Sequence, residues 1–192
     1  MNDRKTMDLI RKTYTDHHKE KTLGHVTAVA ETSVWLAEMH HLDPDKAWLA
    51  AMLHDISVIM KPQEMYDLIR ERGMPIDPAE EKYPFLLHQR VSRIIASEQF
   101  SISDPDVLNA VECHTTLKKN AGPYDKLIFI ADKISWDQEG QPPCYDTLKR
   151  LAADSLDEAC FFHIRYQFDN HLLLMPHHWI VEAYEDLKTI FH

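Results

Sequence analysis

Apolar positions along this chain recur at three- and four-residue spacing almost throughout, and runs of strict two-residue alternation are hard to find. The pattern predicts an all-α fold. An opening helix is expected over roughly Asp3 to His18, and a second from about Lys21 to His40 with Val26, Val29, Leu36 and Ala37 on one face. Asp43-Pro44 reads as the N-cap and first residue of a third helix, which runs into Ala50 to Ser57, AAMLHDIS. A stretch rich in turn formers, Gly73 to Pro84, separates it from a helix carrying Leu87, Val91 and Ile95 on one face. Asp104-Pro105 repeats the start signal for a helix through Val107, Val111 and His114, and Gly122-Pro123 opens another over DKLIFIADKISWD. The GQPP of Gly140 to Pro143 is the one hinge-like stretch, but too few residues follow it for an independent domain. One domain over residues 1–192 is expected, with 144–192 packing back as two C-terminal helices separated near Pro176.

Composition narrows the function classes. No run approaches the roughly eighteen apolar residues of a membrane helix, and MNDRKTMDLIRKTY lacks a signal peptide's hydrophobic core. No membrane partner and a cytoplasmic address are expected. A formal charge of -10, with basic runs no longer than Lys118-Lys119, argues against a nucleic acid polymer as partner. A small anionic substrate stays open, because a bound metal can supply positive charge. The three cysteines, Cys113, Cys144 and Cys160, have no CxxC spacing and suggest neither a disulfide framework nor a zinc ribbon.

Thirteen histidines are many for this length, so a rule is needed to choose among them. The inner face of a helix provides one. His25 is followed at helical spacing by Val29, Ser33 and Leu36, His88 by Val91 and Ile95, and His114 is preceded by Val107 and Val111. His54 falls beneath Ala47, Ala50 and Ala51, with Asp55 expected about 100° further round the same helix. Asp132 lies within LIFIADKI, where an unpaired carboxylate would be costly to bury. His25, His54-Asp55, His88, His114 and Asp132 therefore form one candidate metal centre in a helical bundle. Imidazole and carboxylate without thiolate suit iron, manganese, zinc or related divalent ions. The bland alternative is a bundle with buried histidines and a hydrogen-bonded aspartate.

These residues resemble the HD-domain metal-dependent phosphohydrolases, whose motif is a His, then His-Asp, further His residues, then Asp. Within that superfamily MLHDI, the LLH of Leu86 to His88, the HTT of His114 to Thr116 and KLIFIADKI are similar to the YqeK-like branch, which splits diadenosine tetraphosphate symmetrically into two ADP. The resemblance spans about Lys21 to Leu187 and implies an HD-domain helical bundle. It implies an iron-type metal held by His25, His54, Asp55 and Asp132, with manganese or zinc as alternatives. It assigns His88, His114 and Thr115 to the substrate phosphates or a second metal, and makes Asp55, His88 and His114 the catalytic set. At three positions where the branch carries a cation this chain has Thr22, Val58 and Gln138. The metal set is kept while the polyphosphate grip is thinned.

A metal-dependent phosphohydrolase acting on a small-molecule nucleotide is the leading expectation, with a homodimer left open. The alternatives are an HD hydrolase of mononucleotides and a metal-stabilised nucleotide-binding protein without turnover. The doublets His17-His18, His40-His41 and His177-His178 read as solvated helix ends, with the turn near Pro176 a second candidate border of the substrate pocket. Phe161-Phe162 and Leu172 to Leu174 read as core, and Lys118-Lys119 as a solvated loop. With four glycines and no glycine-rich loop, a backbone phosphate cradle is not expected.

Overall fold

The computed structural model describes residues 4–135, 140 and 144–191. Every regular element among them is helical, as the spacing predicts. Helix α1 (Arg4–Asp16) lies on α2 (Glu20–Met39), and α2 packs along α3 (Pro44–Leu53). Next come α4 (Pro62–Glu71), a short α5 (Pro78–Lys82) and α6 (His88–Glu98). Helices α7 (Pro105–Cys113) and α8 (Pro123–Ile134) close the inner layer, each packed on the other and on α3, with α8 also packed on α2. The chain ends in α9 (Tyr145–Asp154), α10 (Leu156–Asp169) and α11 (His178–Lys188). Helix α9 lies on α2 and α8, and α10 on α8 and α11. No helix among the described residues is long and apolar enough to cross a membrane.

Asp-Pro pairs start three of these helices by one device. Asp43, Asp77 and Asp104 each accept from the backbone N–H two residues on, while the following proline occupies a position whose N–H would be unsatisfied. Each such cap contributes about 0.5–2 kcal/mol. The cap at Asp77 places a helical turn inside the predicted loop of Gly73 to Pro84, and Lys61-Pro62 opens α4, a helix beyond those the spacing predicts. The C-terminal region holds three helices rather than two. Ser155 takes an extended conformation and accepts from the Glu158 N–H, ending α9 and starting α10 within one residue. Past His171, in the left-handed region at φ 53°, the chain runs over the surface. Leu172 and Leu174 are accordingly exposed rather than core.

The core unites the inner faces of α2, α3, α7 and α8, where Leu36, Leu53, Val111, Leu127 and Ile130 are fully buried. Tyr14 is buried on α1, and its hydroxyl donates to the Met52 carbonyl at 3.2 Å, pinning the last turn of α3. The histidine doublets divide. His40 donates through Nε2 to the Ala152 carbonyl at 2.6 Å and ties α2 to α9. His177, only 3% exposed, is the N-cap of α11 and not a solvated helix end. Gln138 and residues 141–143 of the hinge-like stretch lie outside the described residues.

Candidate metal centre

Each of the six singled-out side chains arrives from a different place in the bundle. His25 is on the inner face of α2, His54 caps the C-terminus of α3, His88 opens α6, His114 caps α7, and Asp132 lies in the last turns of α8. Asp55 is not a further step round α3, as expected, because that helix ends at Leu53. At φ -108°, ψ 15° Asp55 has left the helix, and the chain turns into a 3-10 segment over Ile56–Ile59. That break aims the carboxylate across the bundle. It reaches both His88 and His114.

Three of the histidines share a local device. The Nδ1–H of His54 donates to the Ala51 carbonyl at 2.6 Å, that of His88 to Phe85 at 2.7 Å, and that of His114 to Val111 at 2.9 Å. A carbonyl can only accept, so each neutral ring has its proton on Nδ1 and a bare lone pair on Nε2. All three Nε2 atoms converge on Asp55. His88 and His114 lie 3.5 and 3.4 Å from its Oδ1, and His54 lies 3.5 Å from its Oδ2. Across the site His25 Nε2 is 3.1 Å from Asp132 Oδ1, which is 3.8 Å from His54 Nε2.

The donors form two triads, His25, His54 and Asp55, and Asp55, His88 and His114, each with its ligand atoms within 4.8 Å of one another. Asp55 belongs to both. Two features show that such a set fits a divalent cation. His54 Nε2 is buried with no hydrogen-bond partner. His88 and His114 bring Nε2 atoms to 2.9 Å, where two lone pairs repel unless a proton or cation lies between them.

The electrostatics follow from crowding. Burial alone would raise the Asp55 carboxyl, but the His54, His114 and His88 imidazoles hold it well below the usual carboxylate range. Burial would raise Asp132 too, and it is outweighed by the Lys133 ammonium, 2.6 Å away, and by His25. For His114, burial dominates and pushes the ring down to about 4, against the pull of Asp55.

Residues missed by the histidine rule hold this arrangement. Gln89, fully buried beside His88, accepts the Thr115 and Thr116 N–H groups at 3.1 and 3.3 Å, fixing the turn after His114 to the start of α6. The Thr115 hydroxyl lies 3.0 Å from His88 Nε2. Ser57 donates to the His88 carbonyl at 2.8 Å and meets Ser92 at 3.0 Å, tying the Asp55 turn to the same helix. The only signal in the sequence is a polar residue one or two positions from a histidine or aspartate, which is too common to read. Val58 lines a cavity of about 450 Å³ beside Asp55 and His88. Thr22 is half-buried on α2, and Lys118 pairs with Asp125.

A third trio of donors, Asp77, His177 and His178, is of another kind. His178 Nδ1 donates to Asp77 at 2.6 Å, and His177 Nδ1 accepts from the Trp179 N–H at 3.1 Å. The His177 Nε2–H therefore faces Glu80 at 3.5 Å, and Glu80 also binds Arg90 at 2.8 Å. Both Nδ1 atoms are hydrogen-bonded and His177 Nε2 lies against a carboxylate already held by Arg90, so the trio forms a latch between α5 and α11. It borders a cavity that shares no lining residue with the one beside Asp55.

The sequence from 22 to 137 matches the family model of the HD domain. The chain belongs to the HD domain family. Among its HD relatives, a symmetrical bis(5'-nucleosyl)-tetraphosphatase of Halalkalibacterium halodurans is 36% identical over 83% of this chain and 81% of that protein. A protein of the same name from Staphylococcus aureus is 36% identical over 74% of this chain and 73% of its own length. The crystal structure of a predicted HD superfamily hydrolase involved in NAD metabolism from Clostridium acetobutylicum aligns with a TM-score of 0.85 at 28% identity, covering 96% of this chain and 97% of that one. HD domains bind divalent metals, and the two triads supply donors of the appropriate kind.

Proposed function

We propose that this HD phosphohydrolase splits a dinucleoside tetraphosphate symmetrically, releasing two nucleoside diphosphates such as ADP. The observation that carries the reading is the meeting of two donor triads on Asp55 at the edge of a cavity of about 450 Å³. The relatives named as symmetrical tetraphosphatases support the substrate class. His25, His54, Asp55 and Asp132 would hold an iron-type divalent metal, with manganese and zinc compatible with the same donors. Such a metal supplies charge that offsets the phosphoryl oxygens and acidifies water for attack on phosphorus. His88 and His114, with lone pairs fixed outward by their Nδ1 bonds, orient water or accept its proton and later return one to the leaving phosphate. The Thr115 hydroxyl, which donates to His88 Nε2 in the free site, turns to donate to a phosphoryl oxygen when substrate binds. Residues 1–192 act as one unit, with α9 to α11 buttressing α2 and α8, and a nucleotide substrate of this type points to the cytoplasm.

A turnover panel tests the reading. Metal-loaded protein given diadenosine tetraphosphate is expected to release ADP alone, identified by chromatography of the products. ATP with AMP would mean asymmetric cleavage and would defeat it. A second reading, hydrolysis of mononucleotides, is favoured by Val58, an apolar side chain in the cavity wall where the resembling branch has a lysine. Release of inorganic phosphate from mononucleotides, with the dinucleotide untouched, would establish that reading instead.

A further inference from the structure

The cavity beside Asp55 is lined by two lysines that none of the site residues above includes. Lys19 directly precedes α2, and Lys61 directly precedes α4. They come from sequence positions far apart and meet at one opening. Several other lysines are paired with carboxylates: Lys46 with Asp104 and Asp106, Lys118 with Asp125, and Lys133 with Asp132. Neither Lys19 nor Lys61 makes an ion pair with any described residue. Two ammonium groups against the one carboxylate of Asp55 leave the formal charge of this cavity lining positive, on a chain whose formal charge is -10.

The remaining wall is apolar. Val58, Met60, Pro62, Met65 and Phe85 line it, and Phe85 is 54% exposed, an aromatic face open to the cavity side. No side-chain amide or hydroxyl is part of the lining. The geometry points to a nucleotide subsite in which Lys19 and Lys61 clamp the phosphates that are not being cleaved, while the base stacks on the Phe85 wall without its edges being read. This deepens the tetraphosphatase reading and rests on it. The clamp stands at different positions from Thr22 and Val58, so the cations absent there are replaced from the residues that precede α2 and α4. A wall that offers only carbon and sulfur separates one base from another by far less than the roughly 10⁴-fold of a site built to hydrogen-bond a polar edge.

Equilibrium binding of ADP, GDP and adenosine to metal-loaded full-length protein tests the assignment, with diadenosine tetraphosphate turnover measured alongside. Wild type is expected to bind ADP and GDP within about tenfold of each other. Lys19→Met and Lys61→Met should each weaken both diphosphates by about tenfold or more, as for a lost charge-assisted bond. Lys61→Arg should restore most of the binding. Adenosine should be indifferent to the lysine changes and weakened by Phe85→Ala. Lysine variants that bind ADP like wild type, in a protein that still cleaves the dinucleotide, overturn the clamp and leave the hydrolase reading intact. GDP weaker than ADP by more than about a thousandfold overturns the unread base. A protein that binds ADP through the lysines but cleaves nothing overturns the hydrolase reading and leaves the clamp standing.

Discussion

Asp55→Ala is expected to strip the metal and reduce turnover to background while leaving the helical circular dichroism signal in place. Among the described residues Asp55 is the one common to both donor triads, and its carboxylate faces His54, His88 and His114 together. Losing it should cost more than the roughly 10- to 100-fold in metal affinity that removal of an outer partner costs. The fold should survive because Asp55 makes its contacts within the imidazole cluster, whereas the core beneath it is built from Leu53, Ile56 and Leu87. Elemental analysis of the purified variant checks the prediction. Metal content equal to wild type would show that the aspartate is not a ligand.

His114→Ala should separate the two triads. The ring is buried and directs its bare Nε2 at Asp55 and His88, beside the Thr115 hydroxyl. If it serves the phosphates, kcat falls by the roughly 10²- to 10⁴-fold typical of a positioned acid or base, and metal stoichiometry is unchanged. The expected result is that one. The fixed turn at Thr115 and Thr116, locked by Gln89, presents hydroxyl and imidazole together, a combination suited to phosphoryl oxygens. Two metals per chain falling to one in the variant would place His114 in a second ion's shell.

The sequence made the helix starts readable where a side chain does the capping. Asp43 and Asp104 could be assigned because Asp-Pro states both the acceptor and the missing donor. The same signal stood at Asp77 and was absorbed into a run of turn formers, since five helical residues bury too little to show a period. Ser155 is obscured for a different reason: apolar spacing continues across it and hides the break, although Ser155 and Glu158 stand in the Ser-x-x-Glu pattern of a helix start. The clustering of the six residues was legible because buried imidazole and carboxylate are costly on an inner face unless something binds them. Their aim was not. It depends on Asp55 leaving the helix and on three Nδ1 bonds to carbonyls three residues back. Lys19 and Lys61 escaped because cavity walls assembled from separate elements leave no period in a sequence.

The latch at Asp77 and Glu80 makes the far end of the chain an acid-sensitive cooperative unit. Burial would raise both carboxyls, but His178, the Ala79 N–H and His177 hold Asp77 below its ordinary value, and His177, the Asp77 N–H and Arg90 do the same for Glu80. Their stabilisation is complete above the unfolded-state values, about 4, and disappears as pH falls through the lower folded ones. Below about pH 4, amides of α11 are expected to exchange with solvent through a local opening while those of α8 still require global unfolding. Peptide-resolved hydrogen exchange across an acid series would show this, and equal acceleration in α8 and α11 would refute it. Because α5 leads through the 3-10 turn Pro84–Leu87 straight to His88, the opening frees one wall of the metal centre before the core yields. Acid inactivation of this protein would then begin at its C-terminal helix, as a partial unfolding distant in sequence from the histidine it disturbs.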